Sequence, residues 1–144
     1  MSAVAGSGTA GSGTAGTRLQ AAIVRQLAGR VALGPLAVFD MPPARAPLPH
    51  AVVDDPVLAA WNLAGVSGRE GRIAVTLHDA GERPLRLRRL QAQVEDLLAT
   101  MPAALDGDGW RLVRLRLVRS RTSRGRGDRW SAVSEYDVRV CRTD

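Results

Sequence analysis

The sequence predicts an α+β domain: a mostly antiparallel sheet of four to five strands with two helices on one face, in the order α-β-β-β-α-β-β. Three observations predict it. Apolar residues recur at helical spacing in two separate stretches, around Leu19–Val31 and Leu87–Met101. Apolar and polar residues alternate in the segments between and after them. The last third of the chain holds two long alternating runs around an Arg/Gly-rich turn, the pattern of a hairpin.

Taken in order, residues 5–17 repeat Ala-Gly-Ser-Gly-Thr twice and end in Ala-Gly-Thr. Such a composition buries little apolar surface, so residues 1–16 are expected to form a flexible arm ahead of one domain over 17–144. Thr17-Arg-Leu-Gln20 has the spacing of a capping box and predicts a helix start there. Leu19, Ile23, Leu27 and Val31 form its apolar stripe, and Gly34-Pro35 ends it. Leu36–Phe39 predicts a short strand, and the loop Met41–Pro49 is fixed in an extended path by its prolines. His50–Asp54 predicts a second strand and Arg72–His78 a third, with Ile73, Val75 and Leu77 on one face. The segment 56–66 is ambiguous, with Trp61 as its anchor.

Pro84 suits the first turn of the second helix, whose buried stripe is expected to be Leu87, Leu90, Val94, Leu97 and Met101. Arg83, Arg86, Arg88 and Arg89 crowd its N-terminal half, where positive charge opposes the helix dipole, so this cluster is expected to meet acids on another surface. Glu95 and Asp96 read as its solvated side. Trp110–Arg121 and Trp130–Arg142 are the hairpin strands. Trp110 and Leu112 have the opposite parity to Val113, Leu115 and Leu117, and a bulge near residue 112 reconciles the two.

The chain has 144 residues, enough for one buried core, and a net charge of +6. All 20 basic residues are arginine. That balance points to an acidic partner: nucleic acid, an acidic protein surface or anionic lipid. Arginine suits bidentate, partly buried pairs, although a GC-rich coding bias produces the same composition. One cysteine, Cys141, rules out an internal disulfide, and no Cys/His spacing suits zinc. No 18-residue apolar run or signal peptide is present, so neither membrane insertion nor export is expected, and the compartment expected is cytoplasmic.

No residue pattern in the sequence points to catalytic chemistry. Asp106-Gly-Asp-Gly109 lacks the later ligands of a calcium loop and reads as a turn. Gly125-Arg-Gly127 is too short for a phosphate loop. His50 and His78 could be neighbours on adjacent strands, but no Ser, Cys or carboxylate set accompanies them. No catalytic residue, metal or cofactor is expected, and the chain reads as a binding or assembly part rather than an enzyme. The hairpin is the exception to blandness: eight arginines and one acid lie between Arg111 and Arg129. Arg114, Arg116 and Arg119 fit the solvent face of a strand. Arg124, Arg126 and Arg129 at the tip serve no evident folding purpose and are candidates for contacting a partner. Arg83 and Arg86, and Met41, Pro42, Pro43 and Arg45 in the proline loop, complete the candidate interface.

Several segments in this order resemble the tail-terminator (tail-completion) proteins of long-tailed phages, and most nearly those of alphaproteobacterial gene-transfer agents. They are Leu19–Leu27, Val38-Phe-Asp-Met-Pro-Pro43, Pro47–Val53, Gly71–Leu77, Val94-Glu-Asp-Leu-Leu98 and Arg129–Tyr136. The chain departs from that pattern at His50, where an aromatic residue is common, at Asp79-Ala80, where an aromatic-Ser pair is common, and in its N-terminal repeat. The resemblance implies a homo-hexameric ring on the head-proximal end of the tail tube, which stops tube growth and joins the tail protein to the neck or head-completion (stopper) protein. It also implies DNA passing through the lumen without sequence specificity, and a subunit that is cytoplasmic during assembly and then sits at the head-tail neck of the particle. The alternative from charge alone is a small basic nucleic-acid-binding module; the scarcity of aromatic residues and the lack of a helix-turn-helix pattern count against it.

Overall fold

The computed structural model describes residues 7–143, with side chains from Ala15 onward. Helix α1 (Ser7–Leu27) buries Leu19, Ile23 and Leu27 completely. It starts well ahead of Thr17, the expected cap. Ala15 is fully buried, and Gly16 lies so close to the Pro56 ring that a Cβ there would stand 3.2 Å from it. Packing therefore carries the helix through the Thr17 signal, which is exposed within it. Of the expected arm, residues 1–6 lie outside the described residues and residues 7–16 lie in α1. A 3-10 turn, Val31–Leu33, follows, capped by Gly34 at a φ of 61°.

The strands are β1 (Ala37–Phe39), β2 (His50–Val53), β3 (Val57–Ala60), β4 (Val66–Ala80), β5 (Arg111–Arg124) and β6 (Arg129–Thr143), with α2 (Leu85–Leu98) between β4 and β5. Sheet order is β1-β2-β4-β6-β5, and β3 pairs with the first half of β4. Only β1 and β2 run parallel, so the α+β architecture is the expected one. The sheet has one strand beyond the four to five expected, because the ambiguous 56–66 segment supplies β3. Its sequence has no alternation; glycine makes the pairing. A Cβ on Gly71 would lie 1.8 Å from the Val57 carbonyl oxygen, so only a bare α-carbon lets β3 approach.

One face of the sheet is the core. Ala51 and Val53 of β2, Ile73, Val75 and Leu77 of β4, and Ala132, Tyr136, Val138 and Val140 of β6 are buried beneath both helices. The α2 stripe is Leu87, Leu90, Gln91, Val94 and Leu98; Leu97 and Met101, expected in it, are only partly buried. A spacing of 87, 90/91, 94, 98 follows the 3.6-residue period more closely than one ending 97, 101. Glu95, read as solvated, instead accepts a 2.9 Å hydrogen bond from Ser134 of β6, and Gln91 donates to the same hydroxyl.

Strand β5 has the bulge expected near residue 112. Leu112 faces Val140, but Leu115 faces Val138 and Leu117 faces Tyr136, so Val113 is the extra residue. A second bulge at Val118 reverses the parity again. Trp110, one residue ahead of β5, is fully buried beneath the Arg142 guanidinium.

Candidate functional site

Three elements meet at one end of the molecule. The hairpin turns between Arg124 and Arg129, with Gly127 at a φ of 56° and the Gly125 N–H donating to the Arg129 carbonyl at 2.8 Å. The β4–α2 loop is sewn to this tip: Gly81 N–H donates to Asp128 O at 2.8 Å, and Trp130 Nε1 donates to Gly81 O at 2.9 Å. The proline loop arrives from the other side. Pro42, Pro43, His50, His78 and Arg129 line one cavity of about 310 Å³.

This end gathers most of the expected interface. Arg124 lies over the Trp130 ring, 5.4 Å from its centroid, which holds its head near the surface. Arg126 and Arg129 are exposed, as is Arg83 in the adjoining loop, and none of the three forms an ion pair among the described residues. Arg86 differs. Its Nε and Nη2 donate to the Asp79 carboxylate at 2.8 and 2.6 Å, and the Ala80 N–H adds a third bond to the same group. This bidentate clamp holds the Asp79 carboxyl below its ordinary range, chiefly through the Arg86 hydrogen bonds. Part of the arginine cluster at the α2 start is thus neutralised within the chain. Arg45 is exposed in the proline loop. Met41, 67% exposed, opens into a second hollow rather than the first.

The sheet face away from the helices is polar, and its charges are sorted. On β5, Arg114 and Arg116 share Asp137, and Arg119 pairs with Glu135, which Arg72 also approaches. Arg139 pairs with Glu70 and covers Trp61 at 4.3 Å. Arg111 and Arg121 have no acid among the described residues. At the other side, Asp40, Asp54 and Asp55 join Gln20, Met41, Pro42 and Val52 around a hollow of about 490 Å³. Burial pushes the Asp54 carboxyl above its ordinary range. The sequence reading missed this hollow, though Asp54-Asp55 was visible as a doublet.

His50 and His78 are cross-strand partners with ring centroids 5.0 Å apart. Burial, and then the charges of His50 and Arg129, push the His78 imidazole down. Neither has a third metal-ligating partner: among the described residues no group of three His, Cys, Asp or Glu could hold a metal ion. Asp106 and Asp108 of the former calcium-like turn are bound to Arg25 and Arg18 of α1 at 3.3 and 2.8 Å.

The fold is similar to a chain in the structure described as "Virion of native gene transfer agent (GTA) particle". That likeness has a TM-score of 0.67 and 23% identity, and it covers 85% of this chain and 93% of that one. A comparison with curated proteins finds no match. The family described as "Tail completion protein gp17" matches residues 17–140, nearly the whole domain. The chain belongs to that tail completion family, and is a structural protein of a phage-like tail.

Proposed function

We propose that this chain is a non-catalytic ring subunit that caps the head-proximal end of a tail tube, stops its growth and joins it to the head or neck proteins. Six copies closing around an open lumen would let DNA pass without being read. Supporting this is the family match across residues 17–140, taken with a sheet whose two terminal strands, β1 and β5, are unlike, with short β3 a further edge beside β4. Unlike edges suit head-to-tail contacts, which close into rings. The basic end built by Arg83, Arg124, Arg126 and Arg129 then meets an acidic surface on the tube or neck. The proline loop, with Met41, Pro42, Pro43 and Arg45, flanks the subunit join. The subunit would be made in the cytoplasm and end at the head-tail neck.

Electron microscopy of particles assembled with and without the chain tests the reading. Overlong or headless tails beside filled, tailless heads are expected in its absence; normal particles refute it. Replacing Arg124, Arg126 and Arg129 together by Glu should reduce head-tail joining while tube length stays set. Unchanged joining would remove the tip from the interface. A basic nucleic-acid module would instead bind free DNA with an affinity falling steeply as salt rises.

A further inference from the structure

Ring closure needs a contact with chemistry, and the register of the sheet supplies one. Arg119 of β5 stands opposite Glu135 of β6, Glu135 opposite Ala74 of β4, and the Ala74 carbonyl accepts the Asp54 N–H. Those residues form one row across the sheet. Two residues along, the next row on the same face runs from Arg121 through Val133 and Thr76 to Val52 and then Phe39 of β1, which Asp40 follows. The arginine margin and the acidic hollow therefore lie level at opposite ends of the same two rows.

Strand direction agrees. Because β1 runs parallel to β2 while β2, β4, β6 and β5 alternate, β5 and β1 point in opposite directions. Copies placed side by side about an axis along the strands bring β5 of one antiparallel to β1 of the next. We propose that the chain joins a second copy in this way, with Arg119 and Arg121 of one copy reaching the hollow of Asp40, Asp54 and Asp55 on the other. The proposal rests on the ring reading above and names its contact.

Three features favour this occupant. Asp40, Asp54 and Asp55 form no ion pair among the described residues, and Arg121 forms none either. Arg119 is held only by Glu135 at 3.4 Å with a side chain 74% exposed, so it is free to be shared. Apolar surface accompanies both sides: Leu117 and Val118 beside the arginines, Met41 at the mouth of the hollow. The isologous alternative, β5 on β5 about a two-fold axis, sets two arginine rows against one another and is disfavoured by like charge.

The test uses two charge-reversed full-length chains. One carries Arg119→Glu and Arg121→Glu, the other Asp40→Arg and Asp54→Arg. Each presents like charges to its own copies, but each complements the other at both edges. Sedimentation velocity should show the wild type as a closed oligomer and each variant, folded by circular dichroism, weakened in self-association on the order of a hundredfold or more. An equimolar mixture of the two should recover the wild-type size by alternation. Variants that assemble alone as well as the wild type overturn this contact and leave the ring reading standing, as does a mixture of two folded variants that stays dissociated. A wild-type chain that remains monomeric both in solution and on isolated tail tubes refutes the ring reading itself.

Discussion

Arg86→Ala separates an internal clamp from a partner contact. Asp79 is buried, its side chain 5% exposed, and three donors satisfy it: two from Arg86 and the Ala80 N–H. A hydrogen bond to a charged group contributes about 1.5–3 kcal/mol, and losing two such bonds around a buried carboxylate would approach the upper range. The Arg86 side chain is 57% exposed, however, so water can enter where it leaves, and the loss is discounted to about 2 kcal/mol. For a chain of this length that lowers the melting temperature by about 6 °C. The paired Asp79→Asn change removes the buried charge, so in a double-mutant cycle the double variant should lose less than the sum of the two single losses, with a coupling above about 1 kcal/mol. Acid adds a second reading. Because the Asp79 carboxyl is depressed in the fold, its contribution is complete above the unfolded value of 3.8 and is lost as pH falls through the lower folded value. Arg86→Ala should flatten that acid limb. A coupling near zero, or an unchanged acid limb, would show that the clamp does not stabilise the domain and return Arg86 to the partner interface.

Gly71→Ala should detach β3, since its Cβ would collide with the Val57 carbonyl; hydrogen exchange at the β3 amides should rise well above that of β6, and unchanged protection would refute the close-approach argument. Trp110→Ala should cost about 3–5 kcal/mol by urea unfolding, because a fully buried indole leaves a cavity. Trp110→Phe should cost less than half as much, because the indole N–H it deletes is buried without a partner. The lowered His78 value means the unfolded chain binds the proton first, so stability falls as pH drops from about 6.5 toward that lower value. Arg129→Gln should raise the His78 midpoint in an NMR titration; no shift would exclude the Arg129 charge as a cause.

Legibility followed the range of the interactions. Helix α2, strand β6 and the Arg72–His78 part of β4 were readable because burial on one face writes a period into contiguous residues. The Val113 bulge was readable for the same reason, since Leu112 and Leu115 cannot both face the core without it. The bulge at Val118 left no trace, because Arg119-Ser-Arg121 has no apolar parity to break. Strand β3 was illegible because its pairing depends on what Gly71 lacks. The Asp79–Arg86 clamp joins the end of a strand to the first turn of a helix, so the periodicity of neither element marks it. The acidic hollow arises only when the parallel β1–β2 pairing folds the proline loop back and sets Asp40 beside Asp54. Arg83, Arg124, Arg126, Arg129, Pro42 and Pro43, read from exposure and charge, lie at or beside one end of the molecule; Arg86 is clamped by Asp79 seven residues before it, and Met41 opens into the acidic hollow.

The edge strand β5 carries features that bear on both aggregation and the proposed assembly. A 14-residue strand with an unpaired side is an aggregation hazard. Two bulges interrupt its ladder at Val113 and Val118, and the arginines between and beyond them repel any identical edge. Those devices act against β5 meeting β5, but not against β5 meeting an acidic margin of opposite direction. Under the proposed contact, the charges that disfavour the two-fold pairing are the ones that favour the head-to-tail one. In the proposed ring each copy would keep one edge of each kind free, and the contact would repeat until the chain of subunits returned to its start. A strand that was merely protected would need no acidic counterpart; the level match of Arg119 with Asp54 is what would make protection and assembly one feature in the proposed ring.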